Sequence, residues 1–197
     1  SSFNVAQLNV ESHSETAKIL LEGEKAALNA RRLTQQLITF AKGGVPVATV
    51  FNPVELLRDV CSYSVRGTNI RITFDFPDDS YCMQADETQI RQVFQNLVIN
   101  ACQAMGEGGL IKVYGRCVQV YNDQIPALRA GNYLKVSVED QGCGIPVEIL
   151  PRVFEPYFTT KKDGNGIGLA VVYSIISKHN GHISVESQTG KGTVFTV

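Results

Sequence analysis

Two adjacent glycines, Gly43 and Gly44, followed by Pro46, divide this chain of 197 residues. Glycine commonly ends a helix and proline cannot continue one, so no helix is expected to pass this point. The residues before the glycines contain no proline and are rich in helix formers, whereas helical and strand-like segments alternate after them. We therefore predict a long helical segment within residues 1–48 and a separate α+β domain over residues 49–197.

Apolar or small residues recur at seven-residue intervals in the first segment. Such a repeat is typical of a helix that packs along a narrow seam against a partner helix. Because no second long helix is predicted to complete a bundle with it, we favour a helix that pairs in a dimer or bundle. A surface helix docked on its own domain is the alternative. The seam residues are Ile19, Ala26, Leu33 and Phe40, with Gly23, Ala30 and Leu37 in a second row.

Composition excludes several classes of function. The net charge is −1 and the pI is about 6.3, so a basic face for nucleic acid is not expected. No apolar run approaches the roughly 18 residues of a membrane span, so no membrane contact is expected of this segment. The five cysteines are odd in number and lack CxxC spacing, which favours reduced thiols and a cytoplasmic location. The chain lacks an initiator methionine, and we interpret it as a piece of a longer protein that is either soluble or membrane-anchored.

Capping signals locate the helices of the second domain. Asn52, Pro53 and Glu55 predict a helix to about Val65, and Asp86 predicts a long helix to about residue 105. Alternation of these helices with hairpin-linked strands predicts an α+β two-layer sandwich, in which helices cover one face of a mixed sheet. The remaining predicted strands are 71–76, 110–120, 133–139, 182–187 and 193–197, and the remaining helices are 147–153 and 169–178.

The long helix carries two asparagines, Asn96 and Asn100, in its interior. Asparagine is a poor helix former, and four-residue spacing places both amides on one face. A carbonyl oxygen on that face suits Mg²⁺, which takes few protein ligands and keeps waters and phosphates. A solvated polar face is the alternative.

Three glycine-rich stretches follow. Asp140 ends a predicted strand and precedes Gly142 and Gly144. Its carboxylate can accept a hydrogen bond from an exocyclic amine such as that of adenine, although an ordinary turn gives the same pattern. The stretch from Gly190 to Thr193 predicts a tight turn, whose threonine hydroxyl could bond a base or Asp140.

Gly164, Gly166 and Gly168 precede a predicted helix. Glycines before a helix N-terminus are typical of a phosphate cradle, with a flexible linker as the alternative. The spacing is GxGxG, which differs from the GxGxxG of a dinucleotide-binding turn, and no P-loop motif occurs. Lys161 and Lys162 just upstream could face phosphates or solvent.

In order, the segments NLVINACQAM, DQGCGIP, VFEPYFTTKK, GNGIGLA and GKGTVF resemble the N box, the first glycine box, the F box and the second and third glycine boxes of sensor histidine kinases. These kinases share an ATPase superfamily with type II topoisomerases and mismatch-repair ATPases. The resemblance covers residues 49–197. The preceding RRLTQQLITFAKGG resembles the second helix of the kinase dimerisation hairpin.

The resemblance implies a Bergerat-type ATP site. Asp140 would hold the adenine amine with support from Thr193, and Gly142 and Gly144 would let the base lie close. Asn100 would ligate Mg²⁺, with Asn96 assisting at the metal or the phosphates. Phe154 and Phe158 would anchor a mobile lid. The other residues implied to bind the nucleotide are Gly164, Gly166, Gly168, Leu169, Lys161 and Lys162.

The sequence departs from the family's pattern at Gln103, where many members have a lysine or arginine. Glutamine carries no positive charge, so direct neutralisation of the phosphates from position 103 is not expected. Lys161 or Lys162 is expected to supply the cation instead.

The implied chemistry is transfer of the ATP γ-phosphoryl group to a histidine, for relay to an aspartate on a response-regulator receiver domain. His13 lacks the family's acidic neighbour, and His179 and His182 lie in a helix-to-strand turn, so the acceptor helix is expected to be missing. The full-length protein is expected to form a homodimer through the N-terminal helix. The alternatives are a nucleotide-binding scaffold without kinase activity and a superfamily ATPase, for which Glu87 is a poorly placed base.

Overall fold

The computed structural model describes residues 15–24, 26–27, 46–77, 81–122, 124–125, 127–161 and 164–197. The chain forms two compact units, Ser1–Lys42 and Gly43–Val197, so the division falls at the glycine pair. In the first unit, residues 15–24 and 26–27 are helical and Ile19 is exposed. The seam residues from Ala30 onward lie outside the described residues, as does His13, so the pairing of this helix stays a prediction.

The second unit contains three α-helices, one short 3₁₀ turn and seven strands within its described residues. The helices are α1 (Pro53–Ser64), α2 (Glu87–Met105) and α3 (Gly168–Lys178), and the 3₁₀ turn is Leu150–Arg152. The strands are β1 (Thr49–Phe51), β2 (Ile70–Asp75), β3 (Met83–Ala85), β4 (Gly109–Val120), β5 (Gly131–Asp140), β6 (Ser184–Gln188) and β7 (Gly192–Thr196).

Five of the strands form one mixed sheet in the order β2-β4-β5-β7-β6. The β2–β4 pair is parallel and the other pairs are antiparallel. The register places Thr193 opposite both Asp140 on β5 and Ser187 on β6. Because directly opposed residues project to the same face of a sheet, these three side chains share one face.

The helices form the second layer. α2 packs between α1 and α3 and also contacts β4, β5 and β7. Its apolar residues Val93, Leu97 and Val98 are fully buried, as are Ile111 and Val113 on the sheet. The predicted two-layer α+β sandwich is therefore confirmed. Within the residues that the structure describes, no helix combines the length and the apolar character that crossing a membrane requires.

A separate two-stranded sheet was not predicted. β1 pairs with β3 in antiparallel fashion, with Thr49 opposite Ala85. Strands of three residues are too short to show alternation, so periodicity could not reveal them. The small sheet joins the segment before α1 to the segment before α2.

The predicted caps begin both helices. The Asn52 side chain accepts hydrogen bonds from the backbone N–H groups of Val54 at 2.9 Å and Glu55 at 3.4 Å. Asp86 Oδ1 accepts one from the N–H of Gln89 at 3.0 Å. Each cap satisfies N–H groups that have no partner inside the helix, which explains why the helix begins there.

His179 joins the C-terminus of α3 to the N-terminus of α2. Its Nε2 accepts a hydrogen bond from the backbone N–H of Asp86 at 3.1 Å, and its Nδ1 lies 2.9 Å from the carbonyl oxygen of Ile175. An N–H can only donate and a carbonyl can only accept, so the ring is neutral with its proton on Nδ1. Both ring nitrogens therefore make hydrogen bonds to the backbone of the protein itself.

We expect His179→Ala to lower the free energy of unfolding by about 1–3 kcal/mol, because the Asp86 N–H loses its acceptor. Chemical denaturation would measure the loss. His182 is exposed and gives the matched control, since His182→Ala should change stability by no more than about 0.5 kcal/mol. Equal effects of the two substitutions would contradict this role of His179.

Candidate functional site

Asp140 is a buried carboxylate at the end of β5, only 5% exposed. Its Oδ1 accepts a hydrogen bond from the backbone N–H of Gly142 at 2.8 Å. Burial raises the pKa of Asp140, while the N–H groups of Gly142 and Thr193 and the charge of Lys161 act in the opposite direction. A buried carboxylate held in this way presents a hydrogen-bond acceptor to any group that enters beside it.

Gly142 and Gly144 are required by contacts within the protein. A Cβ atom at Gly142 would lie 2.6 Å from the Cβ of Ala104 on α2, and the neighbouring Cys143 N–H donates to the Ala104 carbonyl at 3.2 Å. Gly144 has φ +70, and a Cβ there would overlap the carbonyl oxygen of Gln188. Sequence analysis assigned these glycines to close approach of a base, whereas the structure shows that packing on α2 and on the β6–β7 turn already excludes larger residues.

The turn between β6 and β7 is tied to this glycine loop. The Gly190 N–H donates to the Cys143 carbonyl at 2.8 Å, and the Ile145 N–H donates to Ser187 Oγ at 2.7 Å. The Thr193 hydroxyl, predicted to serve a base or Asp140, lies 3.0 Å from Ser187 Oγ, and it is the backbone N–H of Thr193 that acts on Asp140. Sequence analysis did not identify Ser187, although its register opposite Thr193 follows from the predicted hairpin.

The two asparagines of α2 differ in environment. Asn96 is buried, and its Nδ2 donates to the carbonyl oxygen of Gly168, the first residue of α3, at 3.4 Å. Asn100 is half-buried, and its Oδ1 accepts a hydrogen bond from Lys161 Nζ at 3.2 Å. Asn96 therefore connects the two helices, while Asn100 presents its oxygen to a cation.

Lys161 also reaches Gln103, whose Oε1 accepts from Lys161 Nζ at 2.7 Å. Loss of hydration lowers the pKa of Lys161, and Cys143 and Asp140 act in the opposite direction. The ammonium group thus donates to Asn100 and Gln103 on α2, and its charge acts on Asp140 at the end of β5. Lys162 lies outside the described residues.

The second glycine stretch leads directly into α3. Gly166 has φ +66, and a Cβ there would overlap the backbone of Tyr157, whose N–H donates to the Gly166 carbonyl at 2.9 Å. Ile167, just before α3, makes no side-chain cap hydrogen bond. A glycine-lined approach to an uncapped helix N-terminus can receive an anion.

The phenylalanines of the F-box segment pack against neighbouring side chains. The Phe154 ring lies 5.8 Å from that of Tyr173 on α3 and 6.4 Å from that of Phe195 on β7. The Arg152 guanidinium lies 4.4 Å from the centre of the Phe158 ring, which is within cation–π distance. Phe154 therefore anchors this segment to the helical layer and to the sheet.

Mg²⁺ fits the donors of this site only as a nucleotide-bound ion. Among the residues that the structure describes, no three His, Cys, Asp or Glu side chains cluster as a metal centre. The amide oxygen of Asn100 is a hard ligand and already accepts from a cationic group. Mg²⁺ commonly binds one or two protein oxygens and completes its shell with phosphates and water.

The buried carboxylate, the amide-bearing helix and the glycine-rich approach to α3 form the candidate nucleotide-binding site of a fold of the α/β-sandwich ATPase class. Residues 85–197 match the family described as histidine kinase-, DNA gyrase B- and HSP90-like ATPase. The match covers more than half of the chain. The chain belongs to this family, and membership implies that it binds ATP.

Several of its relatives are named as sensor kinases. Sensor kinase CckA of Brucella abortus (strain 2308) is 36% identical over 182 residues, which cover 87% of this chain and 19% of the relative. Sensor histidine kinase ZraS of Escherichia coli (strain K12) is 40% identical over 136 residues, which cover 69% of this chain and 27% of the relative. The chain thus spans about a fifth to a quarter of the length of these relatives. It is an ATPase domain of the sensor histidine kinase class.

Solved structures of the histidine kinase ThkA agree with this assignment. Its catalytic domain is 36% identical with a TM-score of 0.62, over 76% of this chain and 92% of that one. ThkA in complex with the response regulator protein TrrA is 28% identical with a TM-score of 0.70, over 99% of this chain and 54% of that one.

We expect Gly144→Ala to destabilise the protein more than Gly190→Ala. Both glycines have positive φ, +70 and +78, but a Cβ has open space at Gly190 and overlaps Gln188 at Gly144. The conformational cost of about 1–2 kcal/mol is common to both, and the overlap adds about 1–3 kcal/mol at Gly144 alone. Thermal and chemical unfolding of the two variants would measure this difference, and equal losses would contradict the packing role of Gly144.

Proposed function

We propose that this chain is the ATP-binding catalytic domain of a sensor histidine kinase. In the full-length protein it would transfer the ATP γ-phosphoryl group to a histidine imidazole, for relay to an aspartate on a response-regulator receiver domain. One observation carries the proposal most directly: Lys161 Nζ donates to Asn100 Oδ1 at 3.2 Å, and the charge of this ammonium acts on the buried Asp140 carboxylate. It thus connects the proposed base-binding and metal-binding positions in a single site.

Each proposed role follows from the local contacts. Asp140 accepts from the adenine amine, and the Gly142 and Gly144 loop forms the wall beside the base. Asn100 ligates Mg²⁺, Asn96 keeps α2 in place against Gly168, and Mg²⁺ would neutralise charge on the phosphates. The phosphates approach the second glycine stretch and the first turn of α3, with Phe158 at the edge of the lid. This stretch comprises Gly164, Gly166, Gly168 and Leu169.

Lys161 supplies the positive charge that position 103 of α2 lacks. Gln103 occupies the position where many related kinases have a lysine or arginine, and its amide holds the Lys161 ammonium at 2.7 Å. Phosphoryl transfer depends mostly on positioning and charge neutralisation, so a cation held here would act on the phosphates. Lys162 is proposed to assist.

The other proposals concern the full-length protein. The relatives named as histidine kinases support a histidine as the phosphoryl acceptor, and the complex of ThkA with TrrA supports a response-regulator partner. The N-terminal helical segment is proposed to pair in a homodimer. All five cysteines are free, and reduced thiols are typical of the cytoplasmic location that we propose. An ATPase role would need an acidic base, but Glu87 is paired with Arg91 at 3.0 Å.

We expect Asp140→Asn to weaken binding of a non-hydrolysable ATP analogue with Mg²⁺ by roughly a hundredfold. The asparagine oxygen would still accept the hydrogen bond from the Gly142 N–H. The asparagine NH₂ group would then face the amine of adenine, and two donors would oppose each other. Isothermal titration calorimetry would measure the loss. Glu139→Gln is the matched control, because the neighbouring Glu139 pairs with Lys112 at 3.2 Å away from Asp140; it should bind normally.

The stability of Asp140→Asn separates a binding defect from misfolding. Because burial raises the pKa of Asp140 in the folded state, the ionised carboxylate costs stability above that pKa, and the amide removes the cost. The free energy of unfolding at pH 7 should therefore not fall. Any advantage of the variant should vanish as the pH drops below the unfolded pKa, about 3.9. A folded Asp140→Asn protein that binds the analogue normally would refute the proposed adenine site.

We expect Lys161→Met to reduce the preference for an ATP analogue over ADP by about tenfold. The lysine acts on the phosphates, so the γ-phosphate should account for most of its effect, and Lys161→Arg should retain much of the preference. Lys112→Met, which removes an exposed lysine from the sheet, should have no effect. An unchanged preference in Lys161→Met would rule out Lys161 as the substitute cation.

A further inference from the structure

Ser187 on β6 makes three polar contacts beside the proposed base-binding site. Its Oγ donates to the carbonyl oxygen of Gly192 at 2.8 Å and accepts from the N–H of Ile145 at 2.7 Å. It also lies 3.0 Å from Thr193 Oγ1. These contacts involve the glycine loop after β5 and the first two residues of β7.

The donors and acceptors of this cluster allow only one arrangement of protons. A serine hydroxyl has one proton and two acceptor positions. The Gly192 carbonyl can only accept, so the Ser187 proton is directed to it. The Thr193 hydroxyl must therefore donate to Ser187, and its own lone pairs are left for other partners.

Thr193 and Asp140 are opposite each other on neighbouring strands, and both are buried. With the Thr193 proton directed to Ser187, the two side chains present acceptors on one face. Adenine carries an amino donor at C6, whereas hypoxanthine carries a carbonyl acceptor at that position. Acceptors that face the group at C6 favour the amine and repel the carbonyl.

We propose that Ser187 is a positioning residue that fixes the Thr193 hydroxyl as an acceptor and thereby increases selectivity for a 6-amino purine. Ser187 acts through Thr193 and through the Ile145 N–H that it holds, and it does not touch the base. The inference rests on the proposed function, because it presumes that the base binds beside Asp140.

The test compares non-hydrolysable analogues of ATP and of inosine triphosphate, whose bases differ in the group at C6 and in the proton that hypoxanthine carries on N1. Calorimetric titration gives the ratio of the two affinities. In Ser187→Ala, the Thr193 proton is released and can turn toward a carbonyl, so the ratio should narrow by about tenfold. Ser187→Thr keeps the hydroxyl and should retain the ratio of the unsubstituted chain.

A double-mutant cycle tests whether Ser187 acts through Thr193. In a chain that already carries Thr193→Val, adding Ser187→Ala should cause almost no further change in the ratio of the two affinities. Ser137→Ala is the matched control, because Ser137 also pairs with a threonine, Thr196, at 2.9 Å on the same sheet. It removes a comparable hydroxyl and should leave the ratio unchanged.

The outcomes separate the inference from the proposed function. If Ser187→Ala weakens both analogues equally, the role is only structural and the inference is overturned. If the unsubstituted chain binds neither analogue, the proposed function fails, and the inference fails with it. Should Ser187→Ala not fold, Ser187→Cys gives the same test, because a thiol fills similar space but is a weak hydrogen-bond partner.

Discussion

Burial of the Asp140 carboxylate is the constraint on which the rest of the site depends. A carboxylate removed from water needs hydrogen-bond donors close by. The chain supplies the nearest donor by turning back immediately after β5, so that the Gly142 N–H reaches Oδ1 at 2.8 Å. That turn brings Gly142 against Ala104, where any side chain would collide with the end of α2. One buried charge thus determines the path of the loop and the residue that the loop requires.

The same loop determines the position of the last hairpin. Gly144 lies against the carbonyl of Gln188, and the Ile145 N–H is satisfied by Ser187. Ser187 in turn bonds Gly192 and Thr193, which stand beside Asp140. These contacts connect β5 to the loop, the loop to β6, β6 to β7, and β7 back to β5. Such a set of contacts keeps the acceptors of the site in place before any ligand arrives, which reduces the entropy cost of binding.

The sequence predicts features that depend on nearby residues. Asn52 and Asp86 cap their helices as expected, because a cap involves groups only two or three residues apart. The long amphipathic α2 and the buried strands were also predicted correctly, since their periodicity extends over many residues. The three-residue strands β1 and β3 were missed because they are too short to show periodicity. The contacts of Lys161 with Asn100 and Gln103, about 60 residues away, depend on the assembled fold, and no local pattern reveals them.

The glycines show why a motif needs its three-dimensional context. Gly142 and Gly144 are accounted for by packing within the protein, so their presence alone does not distinguish a binding loop from a tight structural turn. Asp140 does distinguish them, because a chain selected only for stability would gain from an apolar residue at that buried position. Lys161 adds a second feature, since its ammonium is held by the amide oxygens of Asn100 and Gln103. A buried carboxylate with a cation held nearby is typical of a site maintained for a ligand. Because Gln103 can hold a cation but cannot supply one, the positive charge beside it comes from Lys161. The proposed charge neutralisation therefore depends on the position of the segment that carries Lys161.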